Sequence, residues 1–270
     1  MEPKALVAFD LDGTLLEEGR FLPEAERALR ALAGAGYRLA VNTGRLAAGF
    51  ALEAARRLDP EGPHAFSDGG LIGDALGRPL ELYPFPPEAT RRVYELLRRY
   101  RPPADLLTVR RVRLHLEGAP PPGLEEHVAR TGTPSFPAPP EAVLAHPPLT
   151  VWLAGIPEAT WAEARALVEG VLEAELHGPV EGRLFVGLRP RGRNKASALA
   201  ALARRYRLPL ARTVMVGDGK NDVAALAAAG LGLAVGNAVP EARSAADATL
   251  PPAGEGGLLA AVERIRARFG

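Results

Sequence analysis

Two aspartates that follow a short apolar segment are the first residues whose types and spacing suggest chemistry. Asp10 and Asp12 come directly after residues 5–9 (ALVAF), a run typical of a parallel strand buried on both faces. Residues two apart on a strand point to the same side, and crowded carboxylates repel each other unless a cation or a shared proton relieves them. Mg²⁺ prefers oxygen ligands and usually keeps phosphate in its shell. An acidic turn at a strand end is the ordinary alternative for Asp-x-Asp-Gly alone.

Two further segments carry groups that suit an anion. Thr43 and Gly44 follow a second apolar run and offer a hydroxyl and backbone N–H groups at an expected helix start, although a plain loop is the alternative. Lys195 begins another predicted helix, for which Asn194 is a suitable N-cap. The chain contains 30 Arg but only three Lys, so a lysine at this position favours a specific requirement, and a solvated surface charge is the alternative.

Two more carboxylates occupy a third junction between a strand and a helix. Asp218 and Asp222 follow residues 212–216 (RTVMV), and Asn221 lies between them. An N-cap with an acid in the first helical turn accounts for Asp222 alone, but it accounts poorly for Asp218 and Asn221 together. Ligand sites of open α/β sheets lie at the carboxyl ends of the strands, where all these segments are predicted to meet.

The elements that must position these residues predict an α/β fold. Apolar runs alternate with helical patterns near both ends of the chain, as in a parallel sheet with helices on both faces. Residues 84–187 are richer in proline and predict a smaller inserted α/β module. We therefore expect a split core formed by residues 1–83 and 188–270, with a second domain inserted between its halves.

Composition limits the classes of partner. The chain has 270 residues, 47% of them hydrophobic, which is enough for a substantial core. Its net charge of +1 predicts no nucleic-acid or membrane partner, and the lack of cysteine excludes disulfides and thiolate chemistry. The first residues form neither a signal peptide nor a membrane span, so we expect a cytoplasmic protein. The oligomeric state is left open.

Taken in order, four segments resemble the motifs of the haloacid dehalogenase-like superfamily: FDLDGT at residues 9–14, NTGR at 42–45, GRNKASAL at 192–199 and GDGKND at 217–222. Residues 234–238 (AVGNA) also resemble a segment of its Cof-type members. The long separation between Thr43 and Lys195 places the insertion between the second and third motifs, as in Cof-type sugar phosphatases and eukaryotic-type phosphomannomutases. The resemblance implies a Rossmann-like core with an inserted cap domain. One departure is Asp68-Gly69, where such members often have Asn-Gly.

The resemblance also implies roles for individual residues. Asp10 would be the nucleophile and Asp12 the general acid and base. The implied Mg²⁺ ligands are Asp10, Asp12 (through its carbonyl), Asp218 and Asp222, and Asp222 would orient Lys195 or a metal-bound water. Thr43, the Gly44 N–H and Lys195 are expected at the phosphoryl oxygens. Arg45 and Asn221 are further candidates for binding the phosphorylated substrate, and Asn221 would also support the loop that carries Asp218.

The expected activity is hydrolysis of a small phosphorylated metabolite, a sugar or sugar-acid phosphate. A phosphomutase is the alternative, because mutases also keep an acid at the position of Asp12. A third possibility is a regulatory binding protein without activity, against which the four intact motifs argue.

A basic alternation within the inserted module is a separate candidate for substrate binding. Arg111, Arg113 and His115 alternate with apolar residues along 109–116, which predicts a strand with one apolar face and one basic face. The basic face would either meet solvent or bind a second anionic group of the substrate, such as a carboxylate or another phosphate.

Overall fold

The computed structural model describes residues 2–270, which divide into two compact units. The first combines the chain up to Glu81 with Asn194–Gly270, and the second is Leu82–Arg193. The inserted unit thus begins at Leu82 rather than at residue 84 and ends at Arg193 rather than at residue 187. The later end arises because the last strand of the insertion runs through Arg183–Pro190 without a break.

The chain up to residue 82 forms short strands and two longer helices. In order these elements are β1 (Leu6–Phe9), β2 (Leu16–Glu17), β3 (Arg20–Phe21), α1 (Pro23–Gly34), β4 (Arg38–Val41), α2 (Gly49–Leu58), β5 (His64–Phe66), β6 (Leu71–Gly73) and β7 (Pro79–Leu82). Pro23 starts α1 because its fixed φ suits the first helical turn and its missing N–H would have no partner there.

The inserted unit forms its own sheet and helices. Its elements are α3 (Pro87–Tyr100), β8 (Ala104–Thr108), β9 (Arg113–Leu116), α4 (Leu124–Thr131), β10 (Ser135–Ala138), α5 (Ala142–Ala145), β11 (Pro148–Pro157), α6 (Glu158–Val168), β12 (Leu172–Val180) and β13 (Arg183–Pro190). The sheet order is β10-β9-β8-β11-β13-β12, and its pairs are antiparallel except for β9 with β10. An apolar core that includes Val93, Val151 and Trp161 joins this sheet to α3 and α6.

One strand predicted in this unit is in fact a hairpin. Instead of a single strand over residues 109–116, the chain turns between β8 and β9, and the turn is closed by a hydrogen bond from the Thr108 N–H to the Val112 carbonyl (3.1 Å). Arg111 lies in this turn with φ of 60° and not on the strand. The period of two persists only over Arg113–Leu116, where Leu114 and Leu116 join the core.

The chain then returns to the first unit and completes its sheet. The last elements are α7 (Lys195–Arg205), β14 (Thr213–Gly217), α8 (Val223–Ala228), β15 (Leu231–Ala234), α9 (Pro240–Ala245), β16 (Ala248–Thr249) and α10 (Gly257–Phe269). The sheet order is β16-β15-β14-β1-β4 and every pair is parallel, which confirms the predicted α/β core. Within residues 2–270, every helix is too short or too polar to cross a membrane.

The register of this sheet determines where the polar segments meet. Phe9 at the end of β1 lies opposite Val216 of β14 and Val41 of β4. The polar residues that follow these strands therefore emerge at one edge of the sheet. The sheet residues behind them are buried, as parallel strands covered on both faces require.

Candidate active site

Asp10 and Asp218 are brought together by the paired ends of β1 and β14. The Asp10 N–H donates to the Val216 carbonyl (2.9 Å), which extends the ladder by one residue. The Thr14 hydroxyl donates to Oδ1 of Asp218 (2.8 Å). Gly13 has φ of +73°, and a methyl group there would overlap the Asp218 carboxylate, so this turn requires glycine on both counts.

Lys195 lies at the centre of the site, as the sequence predicts. Its Nζ donates to Oδ1 of Asp10 and to Oδ1 of Asp222, both at 2.6 Å, and its side chain is fully buried. Although burial lowers the pKa of Lys195, the carboxylates of Asp10, Asp222 and Asp68 raise it above its ordinary value. The ammonium is therefore a fixed positive charge beside Asp10.

The first turn of α7 is what holds Lys195 there. Asn194 is its N-cap and forms a reciprocal capping box with Ser197, in which the Asn194 side chain accepts from the Ser197 N–H (2.9 Å). The Asn42 amide, at the end of β4, donates to the Lys195 carbonyl across the sheet edge (2.9 Å). The N-cap and a hydrogen bond from the end of β4 therefore position the same residue.

Three carboxylates form a cluster that could hold a metal ion. Asp10, Asp218 and Asp222 each offer an oxygen within 4.8 Å of the others. Burial and the charges of Asp222 and Asp218 raise the pKa of Asp10, against the lowering effect of Lys195. Burial likewise raises the pKa of Asp218 to about 6. A cation would offset this excess of negative charge, and an all-oxygen donor set of this kind fits Mg²⁺.

Asp12 has a partner that the sequence does not predict. The Arg45 guanidinium binds both of its carboxylate oxygens, with Nε–Oδ2 at 2.7 Å and Nη2–Oδ1 at 2.5 Å. The Arg45 side chain is 7% exposed and that of Asp12 48%, so a buried cation holds a solvent-accessible acid. The Arg45 guanidinium therefore orients Asp12, and a contact of Arg45 with the substrate phosphate stays a prediction.

The loop after β4 departs from its predicted form. The helix α2 starts at Gly49, so Gly44 lies in a loop and not at a helix start. Thr43 is buried, and its hydroxyl accepts from the Arg45 N–H (3.2 Å). The loop brings Thr43 and Gly44 to the same sheet edge as Asp10, because β4 and β1 end in register.

Asn221 contacts a segment outside the four motifs. Its amide donates to Oδ1 of Asp68 (2.9 Å). Asp222 accepts from the N–H groups of Asp218 (3.1 Å) and Gly219 (2.8 Å) through the oxygen that does not bind Lys195. The carboxylate of Asp222 thus closes its own loop and orients Lys195 at the same time.

The three basic candidates of the inserted unit differ from one another. Arg113 is buried and forms a bidentate ion pair with Asp105, with Nε–Oδ1 at 2.7 Å and Nη2–Oδ2 at 2.5 Å. His115 is half-buried and its Nδ1 lies 3.0 Å from the Ser135 hydroxyl. Arg111 is exposed in the turn between β8 and β9. Arg113 therefore neither faces solvent nor offers an unpaired guanidinium, whereas a substrate contact by Arg111 or His115 stays a prediction.

Two supporting residues were missed from the sequence. Thr14 fixes Asp218, and the Asn237 amide donates to the Gly13 carbonyl (2.8 Å) and accepts from the Ala253 N–H (2.9 Å). The scarcity of asparagine, with four in the chain, was the available signal for Asn237.

Comparison with known proteins shows the family to which the chain belongs. The sequence profile of the haloacid dehalogenase-like hydrolases matches residues 7–130 and 162–262, and the chain belongs to that family. It is 43% identical over 84 residues to the phosphoserine phosphatase SerB2 of Mycobacterium tuberculosis, an alignment that covers 31% of this chain and 18% of the relative. The chain thus spans about a fifth of the length of this curated relative.

Solved structures extend the likeness over nearly the whole fold. The phosphatase BT1666 of Bacteroides thetaiotaomicron superposes with a TM-score of 0.79 at 23% identity, covering 98% of this chain and 96% of that one. The subclass IIB sugar phosphatase BT4131 gives a TM-score of 0.80 at 19% identity, with 97% and 99% covered. The fold is therefore the one predicted from the Cof-type resemblance.

Proposed function

We propose that this protein is a Mg²⁺-dependent phosphomonoesterase that acts through an aspartyl-phosphate on Asp10. The observation that carries the proposal is the arrangement at the sheet edge, where Asp10 lies beside the buried ammonium of Lys195 and within a three-carboxylate cluster. Phosphoryl transfer needs positioning and neutralisation of charge more than any other contribution from the protein. This edge supplies a carboxylate nucleophile, a fixed cation and ligands for a second cation.

The first step is attack of an Asp10 carboxylate oxygen on phosphorus. The bond between phosphorus and the substrate oxygen breaks, and the leaving alkoxide takes a proton from Asp12. In the second step water attacks the phosphorus and Asp12 accepts its proton. The bond between phosphorus and the Asp10 oxygen then breaks, which releases inorganic phosphate and restores the carboxylate of Asp10 and the protonated carboxyl group of Asp12.

Arg45 matches the role proposed for Asp12. A general acid must present its carboxyl group at a fixed place, and the bidentate pairing with Arg45 holds Asp12 at its exposed position. Because mutual repulsion would impede attack by one carboxylate on a phosphoryl dianion, Lys195 and a bound Mg²⁺ would neutralise charge on the phosphoryl group. Asp10, Asp218 and Asp222 would hold that ion.

A small phosphorylated metabolite, a sugar or sugar-acid phosphate, is the substrate class that we propose. Two points support it: the inserted unit is a separate sheet-and-helix domain, and the structurally similar BT4131 is a sugar phosphatase.

The test is phosphate release from p-nitrophenyl phosphate and from a panel of phosphorylated metabolites. Removal of Mg²⁺ by a chelator should abolish turnover, and its return should restore it. Asp10→Asn should lower kcat by at least about 10³, which corresponds to roughly 4 kcal/mol of transition-state stabilisation. The matched control is Asp247→Asn at an exposed position, where turnover should stay near wild type.

Wild-type turnover by Asp10→Asn would falsify the mechanism. A requirement for a sugar bisphosphate activator, with isomerisation in place of phosphate release, would instead identify the phosphomutase. Absence of turnover throughout the panel, with phosphate binding retained, would indicate a binding protein.

A further inference from the structure

A buried turn with an uncommon backbone conformation lies beside the site. Ser67 and Asp68 have φ of 51° and 49°, although neither is glycine, and they are 1% and 2% exposed. Consecutive left-handed residues other than glycine persist only where the surroundings impose them, and such residues cluster at functional sites. Gly69 follows with φ of +87°.

The surroundings that impose this conformation carry the phosphate-site residues. The Ser67 N–H donates to the Arg45 carbonyl (2.9 Å) and the Asp68 N–H to the Thr43 carbonyl (3.1 Å). On the other side, a Cβ placed on Gly69 would lie 2.9 Å from the carbonyl oxygen of Asn194, the N-cap of α7. The turn is therefore held between the loop after β4 and the helix that carries Lys195.

The carboxylate of Asp68 points into the same region. Its Oδ1 accepts from the Asn221 amide at 2.9 Å. Both of its oxygens lie 3.1–3.2 Å from the place that a Cβ on Gly44 would occupy, so the charge lies against the loop proposed to bind the phosphoryl group. Its negative charge also acts on the Lys195 ammonium.

The Asp68 carboxylate adds to an excess of negative charge at the site. At the sheet edge of the first unit, the charged side chains named in the site comprise five carboxylates (Asp10, Asp12, Asp68, Asp218 and Asp222) and two cations (Arg45 and Lys195). The formal charge is therefore −3, and one divalent cation would bring it to −1. Each carboxylate near Lys195 competes with a phosphoryl oxygen for the ammonium and repels a phosphate dianion.

We propose that Asp68 is a positioning residue that holds Asn221 while its charge weakens the binding of inorganic phosphate at the site. This inference rests on the proposed function and on the predicted contact of the phosphoryl group with Thr43 and Gly44. The advantage is release of the product, since a pocket that retains phosphate would inhibit its own turnover. The same charge would strengthen the binding of a cation at the neighbouring carboxylates.

Asp68→Asn separates charge from shape. Asparagine has the same size, retains an oxygen for the Asn221 amide and adopts the left-handed conformation more readily than most residues, so the variant should fold. The control is Glu263→Gln, which makes the same change of charge at an exposed position of α10. Isothermal calorimetry would measure the binding of inorganic phosphate in the presence of Mg²⁺, and of Mg²⁺ alone, to the wild-type protein and both variants.

We expect Asp68→Asn to bind phosphate more tightly by roughly threefold or more and Mg²⁺ more weakly by a similar factor, with Glu263→Gln unchanged. KM for p-nitrophenyl phosphate should fall in parallel. If the role of Asp68 were purely structural, Asp68→Asn would weaken the binding of both phosphate and Mg²⁺. Weaker or unchanged phosphate binding by Asp68→Asn, or undetectable binding by all three proteins, would overturn the inference. Calorimetry needs no turnover, so tighter phosphate binding in a protein that hydrolyses nothing would refute the proposed phosphatase and leave the role of Asp68 standing.

Discussion

Replacement of Lys195 by methionine should expose how strongly the site depends on one buried charge. Methionine keeps an unbranched side chain of similar length and removes the ammonium. Asp10 and Asp222 would then remain buried, each without the 2.6 Å ion pair that Lys195 provides. Removal of one partner from a buried ion pair costs about 3–5 kcal/mol, because the remaining charge is uncompensated. We expect a loss of that size in the free energy of unfolding of the metal-free protein.

Mg²⁺ should reverse part of this loss. A divalent cation at Asp10, Asp218 and Asp222 would neutralise two of the carboxylates that Lys195 otherwise pairs. Urea unfolding with chelator and with saturating Mg²⁺ would therefore show a smaller difference between wild type and Lys195→Met when the metal is present. Activity should not recover, because the ammonium is proposed to neutralise charge on the phosphoryl group, and kcat should fall by roughly 10²–10³.

Lys4→Met is the matched control, since it removes the same group from an exposed position. Lys4 lies 5.7 Å from the centre of the Tyr37 ring, an exposed cation–π contact that contributes about 0.5–1 kcal/mol. Its kcat should stay at the wild-type value. A change below about 1 kcal/mol in Lys195→Met, or an equal change with and without Mg²⁺, would refute the electrostatic reasoning.

Two further predictions concern residues around the site. Burial lowers the pKa of His64 from 6.5 to about 4, so the unfolded chain binds a proton at this residue before the folded protein does as pH falls. The contribution of neutral His64 to stability is fully present above pH 6.5, and the free energy of unfolding should fall by about 3 kcal/mol by pH 4. Urea titrations should show a smaller loss over this range for His64→Gln, and an equal loss would count against this origin. Asn237→Ala removes the hydrogen bonds to Gly13 and Ala253, and kcat/KM should fall by about tenfold while the circular dichroism spectrum stays unchanged. An undiminished kcat/KM would show that the loop of Gly13 keeps its conformation without Asn237.

The core strands along the chain and the residues at their ends could be predicted from the sequence. Buried parallel strands are apolar throughout, so each one ends visibly where Asp10, Thr43 or Asp218 begins. What the pattern does not contain is the direction of long side chains. Arg45 reaches Asp12 across 33 positions through a rotamer that only the folded loop selects, and no spacing rule predicts that pairing.

The prediction of a single strand over residues 109–116 was wrong for a different reason. Alternation of apolar and basic residues along 109–116 fits one long strand as well as a turn followed by a short strand. The turn places Arg111 at φ of 60° without the glycine or asparagine that usually signals such a position. Burial of Arg113 depends on Asp105 from the adjacent strand β8, a cross-strand pair that requires the register to be known.

Asparagine is scarce in this chain, and the structure gives a physical reason for its positions. Three of the four residues join two segments of the first unit: Asn42 to the Lys195 carbonyl, Asn221 to Asp68 and Asn237 to Gly13 and Ala253. The fourth, Asn194, caps α7 through Ser197. An amide donates and accepts hydrogen bonds without adding charge. In a site whose carboxylates already outnumber its cations, an aspartate in their place would add repulsion, and an arginine would compete with Lys195 for its partners. The neutral amide is therefore the side chain that can hold these loops in place without changing the charge of the site.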